Sequence, residues 1–189
     1  VTEFTAEVAG PPYHLGMTAV DGLFLAGAAL LVVSGVAKLR SGEPTRKALH
    51  GAGLPGPAWA VGLLGATEVA VGAGGLVTEG RPAAVAMAVL YTGFAAFVLL
   101  ARRRGGSEAS CGCFGRHEAP PGAAHLMTTL ALGVVAVLQA ASPGPGLVTE
   151  LARSPLQTTV LAGYAAIATW LVYLVLAVLP RVGETVTEG

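Results

Sequence analysis

Charge is scarce in this sequence. Asp, Glu, Lys and Arg together make up 12% of its 189 residues, about half of the roughly one quarter usual in soluble domains. The deficit is concentrated: no such residue occurs from Pro82 to Ala101, from Ala119 to Thr149, or from Ser154 to Pro180. A helix needs about 20 mostly apolar residues to cross the bilayer core. An ordinary soluble domain is therefore excluded and an integral membrane protein expected. The net charge is zero, which gives no basic footprint for nucleic acid. Cysteine is scarcer still, with two residues in the chain, so one chain cannot build an all-thiolate zinc site. Residues 1–16 contain Glu3 and Glu7 but no Lys or Arg, so the positive start of a signal peptide is not expected there. No cofactor is evident. The "GAGG" of Gly72–Gly75 lies inside an apolar run with no preceding strand, which excludes a dinucleotide loop.

What is there reads as five helical spans, near 17–39, 57–77, 82–101, 121–141 and 157–179. Proline and glycine punctuate them at Gly53–Trp59, Gly80–Pro82, Ala119–Gly122 and Ser142–Gly146. A proline at a helix start removes an N–H that has no intrahelical partner anyway. Lipid cannot satisfy open backbone groups, so spans of this kind are helices. They lack the alternating polarity of a membrane β-barrel. The fold expected is an all-α, polytopic transmembrane bundle in contact with membrane lipid. Nine basic residues (Lys38, Arg40, Arg46, Lys47, Arg102, Arg103, Arg104, Arg116 and Arg181) fall on one side, against Arg81 and Arg153 on the other. Cytoplasmic loops carry the positive excess. The expectation is a cell-membrane protein with residues 1–16 outside, the tail from 180 inside, and the segment between the third and fourth spans in the cytoplasm.

Several residues in or beside the spans need a reason. Gly62, Ala66, Ala70 and Gly74 recur every four residues and predict a stripe for close helix packing. Trp59 and Tyr13 fall at expected interfaces, whereas Trp170 and Tyr164 fall deeper and read as packing. Glu68 lies about 16 Å into the second span at about 1.5 Å per residue. A carboxylate there is costly, so it should face the bundle interior, be protonated, or both. It shares a face with Gly65, Gly72 and Gly75, which could border a cavity or a packed helix. Tyr91 and Thr92 on the third span have matching depth and are its expected partners. Glu68 then reads either as a proton-handling or ligand-binding carboxyl, or as a protonated clamp between helices. Asp21 and Lys38 bracket the first span and read as interface anchors, with Lys38 too far from Glu68 for a direct pair. His125, just inside the fourth span, reads as hydrogen-bonded structure, with a redox or metal role open through its nearness to the thiols.

Both cysteines stand in "SCGCFG", Ser110–Gly115. Three readings are open. A vicinal dithiol, Cys111 and Cys113, would close only a strained and easily reduced disulfide. Gly112 allows the bend, and Arg102–Arg104 and Arg116 supply the positive potential that favours thiolate. A metal site would add His117 or His125 as ligands. The third reading is a pair of reduced, unreactive cytosolic thiols.

Three stretches, "SGVAKLRSG" (Ser34–Gly42), "GATEVAVGAGG" (Gly65–Gly75) and "CGCFG" (Cys111–Gly115), resemble the methylamine utilisation protein MauE family, within the wider group of DoxX-like membrane proteins. The resemblance covers roughly residues 17–141 and implies a DoxX-like four-helix core. It further implies a redox-associated protein that works with a thioredoxin-like partner in maturing methylamine dehydrogenase or another exported protein. Carried over residue by residue, it gives Cys111 and Cys113 a thiol–disulfide role, and leaves Glu68 and Lys38 as motif positions without an assigned job. With the motif inside and a client outside, a relay would need a second carrier, a quinone or a partner thiol. Two other classes stay open: a non-catalytic assembly scaffold, in which the cysteines are dispensable, and a small-solute or metal transporter centred on Glu68. The transporter reading lacks an inverted repeat or a broken helix.

Overall fold

The computed structural model describes residues 19–78, 80–104, 123–144 and 146–177, with side chains to residue 174. Among these the chain forms seven helices, α1 (Ala19–Arg40), α2 (Glu43–Gly51), α3 (Ala58–Val77), α4 (Arg81–Arg104), α5 (Ala123–Ala141), α6 (Leu147–Arg153) and α7 (Pro155–Ala177), and no strand. Five of them, α1, α3, α4, α5 and α7, are long and apolar enough to cross a membrane. The polytopic helical bundle expected from the apolar runs is thus the observed architecture.

The short helices carry the turns. α2 is polar, has a proline in its first turn and Glu43 beside its N-terminus, where a negative charge complements the helix dipole. It stops in a Schellman motif. Gly53 N–H bonds to the His50 carbonyl at 2.9 Å, and Leu54 N–H to the Leu49 carbonyl at 2.8 Å. Gly53 takes φ +71°, a left-handed conformation that favours glycine at this position. α6 bridges α5 and α7 on the opposite face of the bundle, where Arg153 lies 3.7 Å from Glu150. α4 runs on to Arg104, beyond the expected limit of the third span, because its last turn is three arginines that the helix C-terminus favours.

α1 packs most extensively on α3 and α4 on α5, and contacts of α3 with α4 and of α5 with α1 close a ring of four helices. Phe24, Leu31, Met87, Leu132 and Ala136 belong to its apolar core. α7 packs outside the ring, chiefly on α1. There the edge of the Tyr164 ring lies where a Cβ on Gly22 would stand, 2.8 Å away.

Two expectations about packing are corrected. The inward stripe of α3 is Val61, Gly65, Glu68, Gly72 and Gly75, one register away from Gly62, Ala66, Ala70 and Gly74. A Cβ on Gly62 or Gly74 would meet nothing within 4 Å. The spacing alone could not choose between two small-residue stripes on one helix. Changing Gly62 or Gly74 to alanine should accordingly leave stability unchanged, or raise it by up to about 1 kcal/mol through helix propensity, as read by unfolding in detergent. Trp170, expected to pack, is 60% exposed. It stacks on Tyr173 at 6.0 Å between ring centroids, on the outward side of a peripheral helix.

Candidate functional site

The site grows from one close helix crossing. α1 and α3 meet through Gly35 and Gly65. A Cβ on Gly35 would stand 2.5 Å from the Gly65 carbonyl oxygen, and one on Gly65 would stand 2.9 Å from the Gly35 carbonyl oxygen. Two turns further along, a Cβ on Gly72 would be 2.6 Å from the Ala28 oxygen. Backbone thus lies on backbone, the approach that small residues permit in membranes. This crossing carries Lys38 beside Glu68.

Lys38 Nζ donates to Glu68 Oε2 at 3.0 Å and to Ser34 Oγ, one turn earlier on its own helix, at 2.6 Å. The side chains of Lys38 and Glu68 are 3% and 0% exposed. The half-buried Phe94 ring of α4 lies 5.7 Å from the ammonium, within reach of a cation–π contact. Glu68 Oε1 is buried without a hydrogen-bond partner among the described residues.

This geometry overturns three expectations. Lys38 is no interface anchor but the direct partner of Glu68. Tyr91 does not reach Glu68: its hydroxyl donates across the ring to the Gly27 carbonyl at 2.7 Å. Thr92 is exposed and donates to the Ala88 carbonyl of its own helix at 2.7 Å, as threonines commonly do in helices. Asp21 is also buried. It accepts from Gln139 Nε2 at 2.9 Å, beside a small cleft partly lined by Thr78 and Gly144.

His125 is buried in the first turn of α5, and its Nε2 has no partner among the described residues. The Arg104 guanidinium turns toward the end of α2, 3.4 Å from the Ala52 carbonyl. Cys111, Gly112, Cys113, Arg116 and His117 lie outside the described residues. Sequence reasoning missed Ser34, Phe94 and Gln139. Gln139 carried a usable signal, a primary amide inside an apolar run. Among the described residues no group of three His, Cys, Asp or Glu side chains could hold a metal ion.

The family model described as "Methylamine utilisation protein MauE" matches residues 17–142. The chain belongs to the MauE family. The match takes in two thirds of the chain, from just before α1 to the residue after α5, so the MauE region contains the whole four-helix ring and leaves out α6 and α7. No curated protein and no solved structure matches the chain.

Proposed function

We propose that this MauE-family membrane protein exchanges thiols and disulfides through Cys111 and Cys113, with a thioredoxin-like protein as partner, in the maturation of an exported protein. Where the organism uses methylamine, as the family's description implies, that client is methylamine dehydrogenase. The observation that carries the reading is the extent of the match, which takes in the Cys-Gly-Cys motif together with the helices that flank it. The scarcity of cysteine adds to it, since the chain's two thiols stand one residue apart.

In the exchange, one thiolate attacks a sulfur of the partner's disulfide. A mixed disulfide forms, the partner's S–S bond breaks, and the leaving thiolate takes a proton. The second cysteine then attacks the mixed disulfide, closes Cys111 to Cys113 and releases the second partner thiol. The partner gains two electrons and two protons and the dithiol loses the same. The reverse sequence oxidises the partner. Closing so small a ring stores strain, which makes the bridge a ready oxidant. The bias of basic residues supports placing this chemistry on the cytoplasmic side.

The double variant C111S/C113S should insert normally and abolish the change in the partner's redox state, read by thiol trapping and gel mobility. The single serine variant that keeps the attacking cysteine and lacks the resolving one should accumulate a mixed disulfide with the partner. A partner whose redox state still changes with the double variant as it does with the wild type would sink the reading. Labelling in intact cells by membrane-permeant, but not impermeant, maleimide is the expected result for the sidedness.

A further inference from the structure

Exposed basic residues converge on one end of the bundle. α1 ends at Arg40, α2 presents Arg46 and Lys47, and the last turn of α4 is Arg102–Arg104, all of them exposed. Among the described residues Glu43 is the one acid at this end, and it pairs with Lys47 at 3.3 Å. None of the five arginines forms an ion pair among the described residues. α2 joins two helices of bilayer length, so it lies at the membrane boundary. It rests on α3 and α4, with Thr45 and Ala48 buried, which leaves Arg46, Lys47 and His50 facing outward.

Two of these arginines are held by the turn that follows α2. Arg46 Nε donates to the Gly56 carbonyl at 3.0 Å. Arg104 Nη1 lies 3.4 Å from the Ala52 carbonyl and 3.3 Å from where a Cβ on Gly53 would stand. Ala52 and Gly56 are four residues apart, so at most about 14 Å of chain separates the two anchoring points. A guanidinium carries five N–H donors. One spent on the backbone fixes the group and leaves the others for an external acceptor, and the planar fork suits phosphate. Depth is marked independently. Trp59 stands three residues after Gly56, in the first turn of α3, and is 73% exposed. Tryptophan settles at the headgroup level of a bilayer, so the guanidinium anchored at Gly56 lies near that level.

We infer that this end of the bundle docks an anionic phospholipid, with Arg46 and Arg104 as donors to phosphate and Trp59 beside the headgroup. Charge selects an anionic lipid over a zwitterionic one. A zwitterion brings its own cation, which Arg40, Arg102 and Arg103 repel, whereas a headgroup of net negative charge is attracted by all of them. Basic groups beside a membrane favour acidic lipids by about fivefold each, and the attraction fades beyond a Debye length. Docking ties α2 and its turn to the membrane surface. The surface uses no atom of Cys111 or Cys113 and does not depend on which compartment it faces, so it stands or falls apart from the thiol reading.

Brominated lipids quench a tryptophan that they touch and so report which lipid lies beside it. The chain has two tryptophans. W170F leaves Trp59 as the reporter of the site, and W59F leaves Trp170, exposed on the peripheral α7, as the reporter of bulk lipid. The full-length protein is reconstituted in vesicles of phosphatidylglycerol and phosphatidylcholine, with one or the other brominated. Quenching of Trp59 should correspond to a several-fold enrichment of phosphatidylglycerol, and quenching of Trp170 to none. Equal quenching of Trp59 by the two lipids overturns the proposal and leaves the arginines to a soluble acidic partner. The same enrichment at Trp170 overturns a local site. R46Q/R104Q in the W170F background should abolish the enrichment at Trp59, and enrichment that survives it overturns the assignment. Enrichment lost on adding inorganic phosphate at constant ionic strength gives the surface to a free anion and overturns the proposal too. If R46Q/R104Q fails to insert, the comparison of Trp59 with Trp170 decides alone.

Discussion

Lys38→Met alone should destabilise the folded bundle by about 3–5 kcal/mol, Glu68→Leu should do the same, and the two together should restore most of the loss. The asymmetry follows from where the pair lies. With both members present, ammonium and carboxylate neutralise each other at 3.0 Å. Removing either leaves an uncompensated charge that is almost wholly shut off from solvent. The double variant has no charge to bury and replaces both groups with apolar ones of comparable volume, which is often neutral or stabilising by about 1–4 kcal/mol. Ser34, which accepts from Lys38 at 2.6 Å, loses that donor in both Lys38 variants, so recovery need not be complete. Unfolding by denaturing detergent, run as a double-mutant cycle, measures the coupling directly. A double variant as unstable as the sum of the singles would show that the pair is not what holds α1 to α3.

The second large effect comes from Gly35. Alanine there should cost about 1–3 kcal/mol, the usual range for overpacking, and valine should cost more. The reason is the identity of the neighbours. The new Cβ would lie 2.5 Å from a carbonyl oxygen and 2.9 Å from the Val69 amide nitrogen. Backbone atoms cannot rotate aside as a flexible side chain would, so the helices must separate. Separation also lengthens the bond between Lys38 and Glu68, which links a steric change to an electrostatic one. Gly65→Ala should behave alike, since its new Cβ would meet the Gly35 oxygen at 2.9 Å. Detergent unfolding reads both, with Gly62→Ala as the control on the same helix. A Gly35→Ala protein as stable as that control would refute the close crossing.

Much of the fold is legible in the sequence because bilayer-length apolar runs admit few structures. The five long helices announce themselves by their lack of charge. α2 and α6 do not, being nine and seven residues long and without a sustained apolar run. Glu68 is legible as a site residue because an acid in such a run always needs a reason, and its shared face with Gly65, Gly72 and Gly75 follows from helical spacing. Lys38 is not legible as its partner. It stands two residues from the end of α1, which suggests a membrane edge. The packing of Gly35 against Gly65 staggers the two helices, so that the end of α1 lies beside the interior of α3. A single sequence carries no record of that stagger. Tyr91 is not legible as lying apart from Glu68, for the same reason: its hydroxyl bonds to Gly27, whereas Lys38 and Glu68 meet at the level of Ser34, seven residues further along α1, and both the stagger and the rotation of a helix depend on its neighbour.

The outer position of α7 fixes a parity. Four helices in the ring bring the chain back to the face from which it entered, so Ala19 and Ala141 lie together. α7 then crosses once more, beside α1 and in the same direction: its residue 161 meets Gly22, and its Thr169 hydroxyl is 3.4 Å from the carbonyl of Ala26. A reporter fused behind α7 therefore shares a compartment with the segment that joins α4 to α5. Deleting α6 and α7 would move the same reporter to the other compartment while leaving every ring helix in place. The peripheral helix acts as a topological switch for whatever is attached behind it, independent of the chemistry inside.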